Sequence, residues 1–196
     1  MNEELPKCID YGGGEWMKEW RNEAGKFHRE DGPAREYSNG RKEWYKNGKL
    51  HRENGPAVEY ENGSKEWYIN GKRHRKDGPA IEWFNGAKWW YIDGQLNREE
   101  DKPAVEMDGQ NCWYKNGELH RENGPAIEYA DGTKEWYING KLHRENGPAI
   151  ERKACKSWYK NNRLHRKDGP AIEYADGGKY YYLNGINVDE EDLQKE

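Results

Sequence analysis

The sequence predicts an all-β fold: an elongated single-layer antiparallel sheet of seven tandem β-hairpin repeats, each of about 23 residues. Three observations predict it. One motif, W-Y-x-N-G-K-x-H-R-x-[DN]-G-P-A-x-E-Y-x-[DN]-G, recurs along most of the chain. Each copy holds three bends marked by Gly or Pro, with short aromatic and β-branched runs between them. The aliphatic content, 22 Leu, Ile, Val and Phe in 196 residues, is too small for a thick core, whereas 10 Trp and 14 Tyr are too many for a disordered chain.

The repeat reads most cleanly from Trp44 to Gly63. It begins at Trp20 with one inserted residue and returns at Trp67, Trp90, Trp113, Trp136 and Trp158, with a half copy from Tyr181. Successive leading aromatics lie 24, 23, 23, 23, 23, 22 and 23 residues apart, and all six histidines fall inside the motif. On this reading residues 1–14 form an N-terminal cap, 15–187 the seven-repeat array and 188–196 an acidic C-terminal tail.

Within one unit, Asn47-Gly48 and Asn62-Gly63 read as type I′ hairpin turns. Glu53-Asn54-Gly55-Pro56 makes a third bend, with Pro56 withholding an N–H as the chain re-enters the sheet. The runs Pro56–Tyr60 and Lys65–Ile69 read as two main strands, and Lys49-Leu50-His51-Arg52 as a short strand or connector. Fourteen such strands would give a ribbon ~65–70 Å long. Adjacent Trp and Tyr point to opposite faces of a strand, so a Trp-lined groove is expected on one face and Tyr hydroxyls in water on the other. Helical character is expected only in the tail, at Asp189–Leu193.

At these residues the chain resembles MORN repeats and their variants, through the 23-residue period, the aromatic-x-N-G-K-x-H core and the following [DN]-G turn. The H-R-[EK]-[DN]-G-P-A form is similar to arrays in bacteriophage and giant-virus proteins and in some antitoxin-like proteins. The resemblance covers about residues 15–187. Arg stands where MORN repeats have Gly after His, Gly-Pro-Ala follows, and the strand opens with Glu-Trp-Tyr. The resemblance implies an extended sheet used for protein or lipid contacts, and no chemistry.

Several tempting sites fail on geometry or charge. His28, His51, His74, His120, His143 and His165 recur two strands apart, ~9.6 Å, whereas ligands of one zinc ion converge at ~2.0–2.1 Å. Each His is expected to brace its own turn, so no metal and no cofactor is expected. The Arg ladder (Arg29, Arg52, Arg75, Arg98, Arg121, Arg144, Arg166) is matched by Glu36, Glu59, Glu82, Glu106, Glu128, Glu151 and Glu173. A compensated ladder of this kind reads as a register-keeping Arg–Glu lattice, and a nucleic-acid partner is disfavoured. The glycines sit at turns and not in a phosphate loop, and no nucleophile–base pair stands out, so no catalytic residue is named. Three scattered cysteines, Cys8, Cys112 and Cys155, make neither a disulfide framework nor a CxxC site. No signal core or membrane-length stretch is evident, so the expected location is cytoplasmic (the host cytoplasm if the protein is viral).

Positions shared by the repeats serve folding, so specificity is sought where one repeat departs. Departures cluster at Trp83, Phe84, Trp89, Tyr91, Asn97, Glu99, Glu100 and Asp101. Trp83 replaces the usual Tyr, Trp89 replaces a Glu, and Asn97 replaces the motif His. Aromatic residues with a charged rim resemble an interface hot spot, against the alternative of neutral drift with local repacking. Because Glu is the common residue at that position, Trp89→Glu is expected to leave the fold intact. The expected function is a non-catalytic scaffold that binds another protein; the resemblance adds a viral counter-defence or antitoxin-like inhibitor role. The alternatives are a small-ligand or lipid-headgroup binder using the Arg/His turns, with a membrane not favoured, and a self-assembling element with two open sheet edges.

Overall fold

The computed structural model describes residues 5–194, which are all β and irregular chain apart from one 3-10 helix at Glu190–Gln194. The acidic tail thus has the helical character expected of it. The chain divides into two compact units, Met1–Gln95 and Leu96–Glu196.

In the first unit the main sheet runs through Lys7–Gly12, Glu15–Glu19, Arg35–Tyr37, Lys42–Glu43, Val58–Glu59, Lys65–Glu66, Ile81–Glu82 and Lys88–Trp89. Each strand is antiparallel to the next in sequence. The second unit repeats the plan with Val105–Met107, Gln110–Cys112, Ile127–Tyr129, Lys134–Glu135, Ile150–Glu151, Cys155–Ser157, Ile172–Tyr174 and Lys179–Leu183. Spatial order follows chain order, so neither sheet curls shut into a barrel. The chain is a tandem hairpin repeat.

Two details differ from the sequence reading. First, Lys65–Ile69 is not one strand. It breaks at Trp67, leaving Lys65–Glu66 in the main sheet and Tyr68–Ile69 in a second hairpin with Lys72–Arg73. Trp67 is the corner because its N–H donates to Ala80 O (2.8 Å) and its carbonyl accepts from His74 N–H (3.1 Å), closing the loop instead of extending the ladder. The second hairpins stack on one another: Arg52 N–H donates to Tyr68 O (3.1 Å) and Gly71 N–H to Leu50 O (2.8 Å). Each full repeat therefore makes two hairpins, and only Lys49–Leu50 of the expected short strand is extended.

Second, the two Asn-Gly dipeptides of a repeat form different turns. Asn47 and Gly48 both have positive φ (51° and 82°), as type I′ requires. At Asn62-Gly63 only Gly63 does (86°), and its N–H reaches back to Tyr60 O at 3.0 Å. That is a longer loop closed by a left-handed glycine.

The core is small, as the low aliphatic content leads one to expect, and it is regular. The Ala of every Gly-Pro-Ala or Lys-Pro-Ala segment is fully buried, at Ala34, Ala57, Ala80, Ala104, Ala126, Ala149 and Ala171. Val58, Ile81, Val105, Ile127 and Ile150 follow it on the strand and are buried too. Little aliphatic material is needed, because polar side chains complete the interior.

Candidate functional site

Each repeat holds a composite built on its arginine. The Arg52 guanidinium lies 3.9 Å from the centre of the Trp44 ring and donates through one nitrogen to Pro56 O (3.0 Å) and to Glu59 (2.9 Å). Arg75 repeats this with Trp67 (4.1 Å), Pro79 O and Glu82, and Arg121, Arg144 and Arg166 do so with Trp113, Trp136 and Trp158. The loop glycine makes room: a Cβ on Gly78 would sit 2.8 Å from Arg75 Cζ. The Arg–Glu lattice is thus a feature of each loop. It leaves the Trp rings capped by guanidinium instead of lining an open groove.

The histidines brace turns, but not their own. Asn47 N–H donates to His28 Nδ1 (3.1 Å), Asn70 N–H to His51 Nδ1 (3.1 Å) and Asn139 N–H to His120 Nδ1 (3.2 Å). Every such bond joins one repeat to the next. On the other side of the ring, Nε2 of His28 and His143 faces Glu30 (3.1 Å) and Glu145 (2.9 Å). Among the described residues no three His, Cys, Asp or Glu side chains are grouped to hold a metal ion.

A second polar system went unseen in the sequence. The residue before the leading Trp is a buried glutamate at Glu19, Glu43, Glu66 and Glu135. Glu66, 4% exposed, accepts from Tyr60 Oη and Tyr68 Oη, both at 2.8 Å, and from Arg73 at 3.1 Å. Glu43 has the same kind of company in Tyr37, Tyr45 and Arg35. Arg21 holds the Glu19 carboxyl below its ordinary range through a hydrogen bond. Burial, with the neighbouring carboxylates adding to it, pushes the hydroxyls of Tyr37, Tyr60 and Tyr68 up to about 12. These hydroxyls therefore do not face water as expected. They satisfy buried charge. The sequence signal was the Glu recurring one residue before four of the seven leading Trp.

Against this background the departures can be placed, each within its own unit. In the first unit, Trp83, Phe84 and Trp89 share the hairpin Ile81–Trp89. The Trp83 and Trp89 rings meet edge-on at 6.3 Å, and Trp83 lies 6.4 Å from Tyr60. Trp89 is half-buried with its Nε1 enclosed and unpartnered. Phe84 is 70% exposed at the turn, and its backbone N–H is pinned to the buried Ser64 Oγ at 3.0 Å. Tyr91 belongs to the next small hairpin, 5.5 Å from the Arg73 guanidinium.

In the second unit the loop substitutions act as internal framework. Asp101, with φ 52°, holds Arg121 of the following repeat through both carboxylate oxygens (2.8 and 3.0 Å). Its carbonyl accepts from Trp113 Nε1 (3.0 Å), and Glu100 pairs with Lys102 (2.5 Å). Glu99 is exposed, and Asn97 supplies no imidazole for the Asn116 turn. A polar cleft of ≈ 350 Å³ lies between successive loops, walled by Arg29, Trp44, His51, Arg52 and the carboxylates of Asp31 and Glu53. Among the described residues no helix is long and apolar enough to cross a membrane. No family model matches the chain, and no curated protein matches it.

Proposed function

We propose that the protein is a non-catalytic scaffold that binds another protein, with Phe84 as the anchor of the contact surface. The observation that carries this reading is the exposure of Phe84 on a turn fixed to the preceding hairpin. The equivalent residue is Ser38, Glu61, Asp108, Ala130, Lys153 or Ala175 in the other repeats, so folding does not require a ring here. A rigidly presented aromatic costs little ordering entropy on binding. The recurrent Arg, His and buried Glu are occupied with one another, which leaves recognition to the departures.

The hairpin repeat, its period and the H-R-x-[DN]-G-P-A loop support placing the chain among MORN-like repeats of the kind carried by phage and giant-virus proteins. From that resemblance comes the finer reading of an inhibitor acting in viral counter-defence or as an antitoxin-like factor. A lipid-headgroup role has less support. Arg29 and Arg52 in the loop cleft are already paired with carboxylates, which an anion would have to displace.

Phe84→Ser tests the reading. Affinity capture with wild type and variant, followed by mass spectrometry, should show one partner retained by wild type and lost with the variant. The melting temperatures should agree. An identical captured set from both proteins overturns the assignment of Phe84.

A further inference from the structure

The chain contains eleven Asn-Gly pairs, and the structure separates them into two classes by one hydrogen bond. In eight, the Gly N–H is held. Gly48 donates to Phe27 O, Gly71 to Leu50 O, Gly117 to Leu96 O, Gly140 to Leu119 O and Gly185 to Leu164 O; Gly40, Gly63 and Gly86 donate to Tyr37, Tyr60 and Trp83 O. In the other three, Asn54-Gly55, Asn123-Gly124 and Asn146-Gly147, the Gly N–H makes no hydrogen bond among the described residues. All three lie in the same loop of their repeats, directly before Pro, and all three asparagines are exposed. The same loop position is Asp31, Asp77 and Asp168 in the remaining regular repeats. There the carboxylate accepts from the loop arginine's Nε: Arg29 at 3.0 Å, Arg75 at 3.3 Å and Arg166 at 3.1 Å.

We infer that Asn54, Asn123 and Asn146 are sites of spontaneous deamidation, by which these loops acquire with age the charge that the other repeats encode. The glycine nitrogen gives up its proton and attacks the asparagine Cγ, and a C–N bond forms. The side-chain amide leaves as ammonia, so a five-membered succinimide remains. Water then adds to one of its carbonyls and opens the ring to aspartate or isoaspartate. The net change is asparagine plus water to acidic residue plus ammonia, with no oxidant or enzyme. Glycine suits the step because no Cβ hinders its nitrogen. A hydrogen bond on that nitrogen opposes it, since the bond must break before attack.

The products differ by site. The aspartate formed from Asn54 or Asn146 meets Arg52 or Arg144, whose Nε makes no hydrogen bond among the described residues, and restores the pair seen at Arg75–Asp77. Asn123 has no such welcome. Arg121 Nε is already bonded to Asp101 (2.8 Å), so a carboxylate at 123 would add to Asp101 and Glu122 without a new partner.

The test ages the full-length protein in neutral buffer and follows each asparagine by peptide mass mapping, with a urea-unfolded sample alongside. In the folded protein Asn54, Asn123 and Asn146 should convert about tenfold faster than the other eight, the factor set by a hydrogen bond of ordinary net strength. In urea all eleven should convert at comparable rates. Folded-state conversion spread evenly, or led by any of the eight, overturns the inference. Asn54→Asp and Asn146→Asp should melt at or above wild type, and Asn123→Asp should not rise. Lower melting of the first two overturns the pairing with arginine.

Discussion

Asn70 donates its backbone N–H to Nδ1 of His51, a residue 19 positions earlier in the preceding repeat. Accepting this bond takes the lone pair of Nδ1, which also lies 3.0 Å from Asn70 Oδ1. One imidazole thus fastens the hairpin turn of its neighbour, and loss of the ring should be felt one repeat downstream.

His51→Ala should therefore lower stability by about 1 kcal/mol, the net worth of one hydrogen bond. It should also speed hydrogen exchange at the Asn70 amide. The Asn47 amide is held by His28 and should keep its protection. Faster exchange at Asn47 with Asn70 unchanged would return the brace to the histidine's own turn.

Trp89→Glu should not be the innocuous restoration that repeat comparison suggests. Glu66 is satisfied by Tyr60, Tyr68 and Arg73, whereas the residue equivalent to Tyr60 here is Trp83, which has no hydroxyl. The variant would place a carboxylate in an enclosed position short of donors and would lose the edge-on contact with Trp83. A cost of at least about 2 kcal/mol is expected by urea denaturation. An unchanged midpoint would show that the carboxylate reaches water.

Arg75→Lys and Gly78→Ala should fail for one reason. Lysine cannot stack flat on Trp67 while donating to both Pro79 O and Glu82. An alanine Cβ at 78 would sit 2.8 Å from the guanidinium carbon and push it off the ring. Each change should cost about 1–3 kcal/mol. The double variant should cost clearly less than the sum, because the two share one interaction. Full additivity would separate the glycine from the arginine.

Alkali should unfold the protein over a defined window. Tyr37, Tyr60 and Tyr68 are raised from about 10 to about 12, mainly by burial and then by their carboxylate neighbours. A folded-state value above the unfolded one means a contribution fully present below pH ~10 and lost as pH climbs toward ~12. Absorbance titration should show a late class of phenols ionising together with the unfolding signal. All tyrosines ionising near pH ~10 with the fold intact would contradict the buried network.

The order of turns, the strand-forming runs, the proline of the third bend and the count of repeats were determined by the sequence alone, because each depends on a few consecutive residues and a fixed period. Positive φ at Asn47-Gly48 is a local demand. Only the tertiary structure decided what these side chains meet. The same Asn-Gly dipeptide makes a tight turn at 47–48 and a longer loop at 62–63, because strand register fixes how many residues each must span. Charge marks Glu43 and Glu66 as surface residues, yet they are 2% and 4% exposed. Donors from hairpins before and after them in the chain converge on each carboxylate, and that convergence is what makes a buried charge tolerable. No short window of sequence contains it. Phe84 was singled out by its departure from its repeat-mates; that it stands in solvent while Trp89 packs inward was settled by the register of one hairpin.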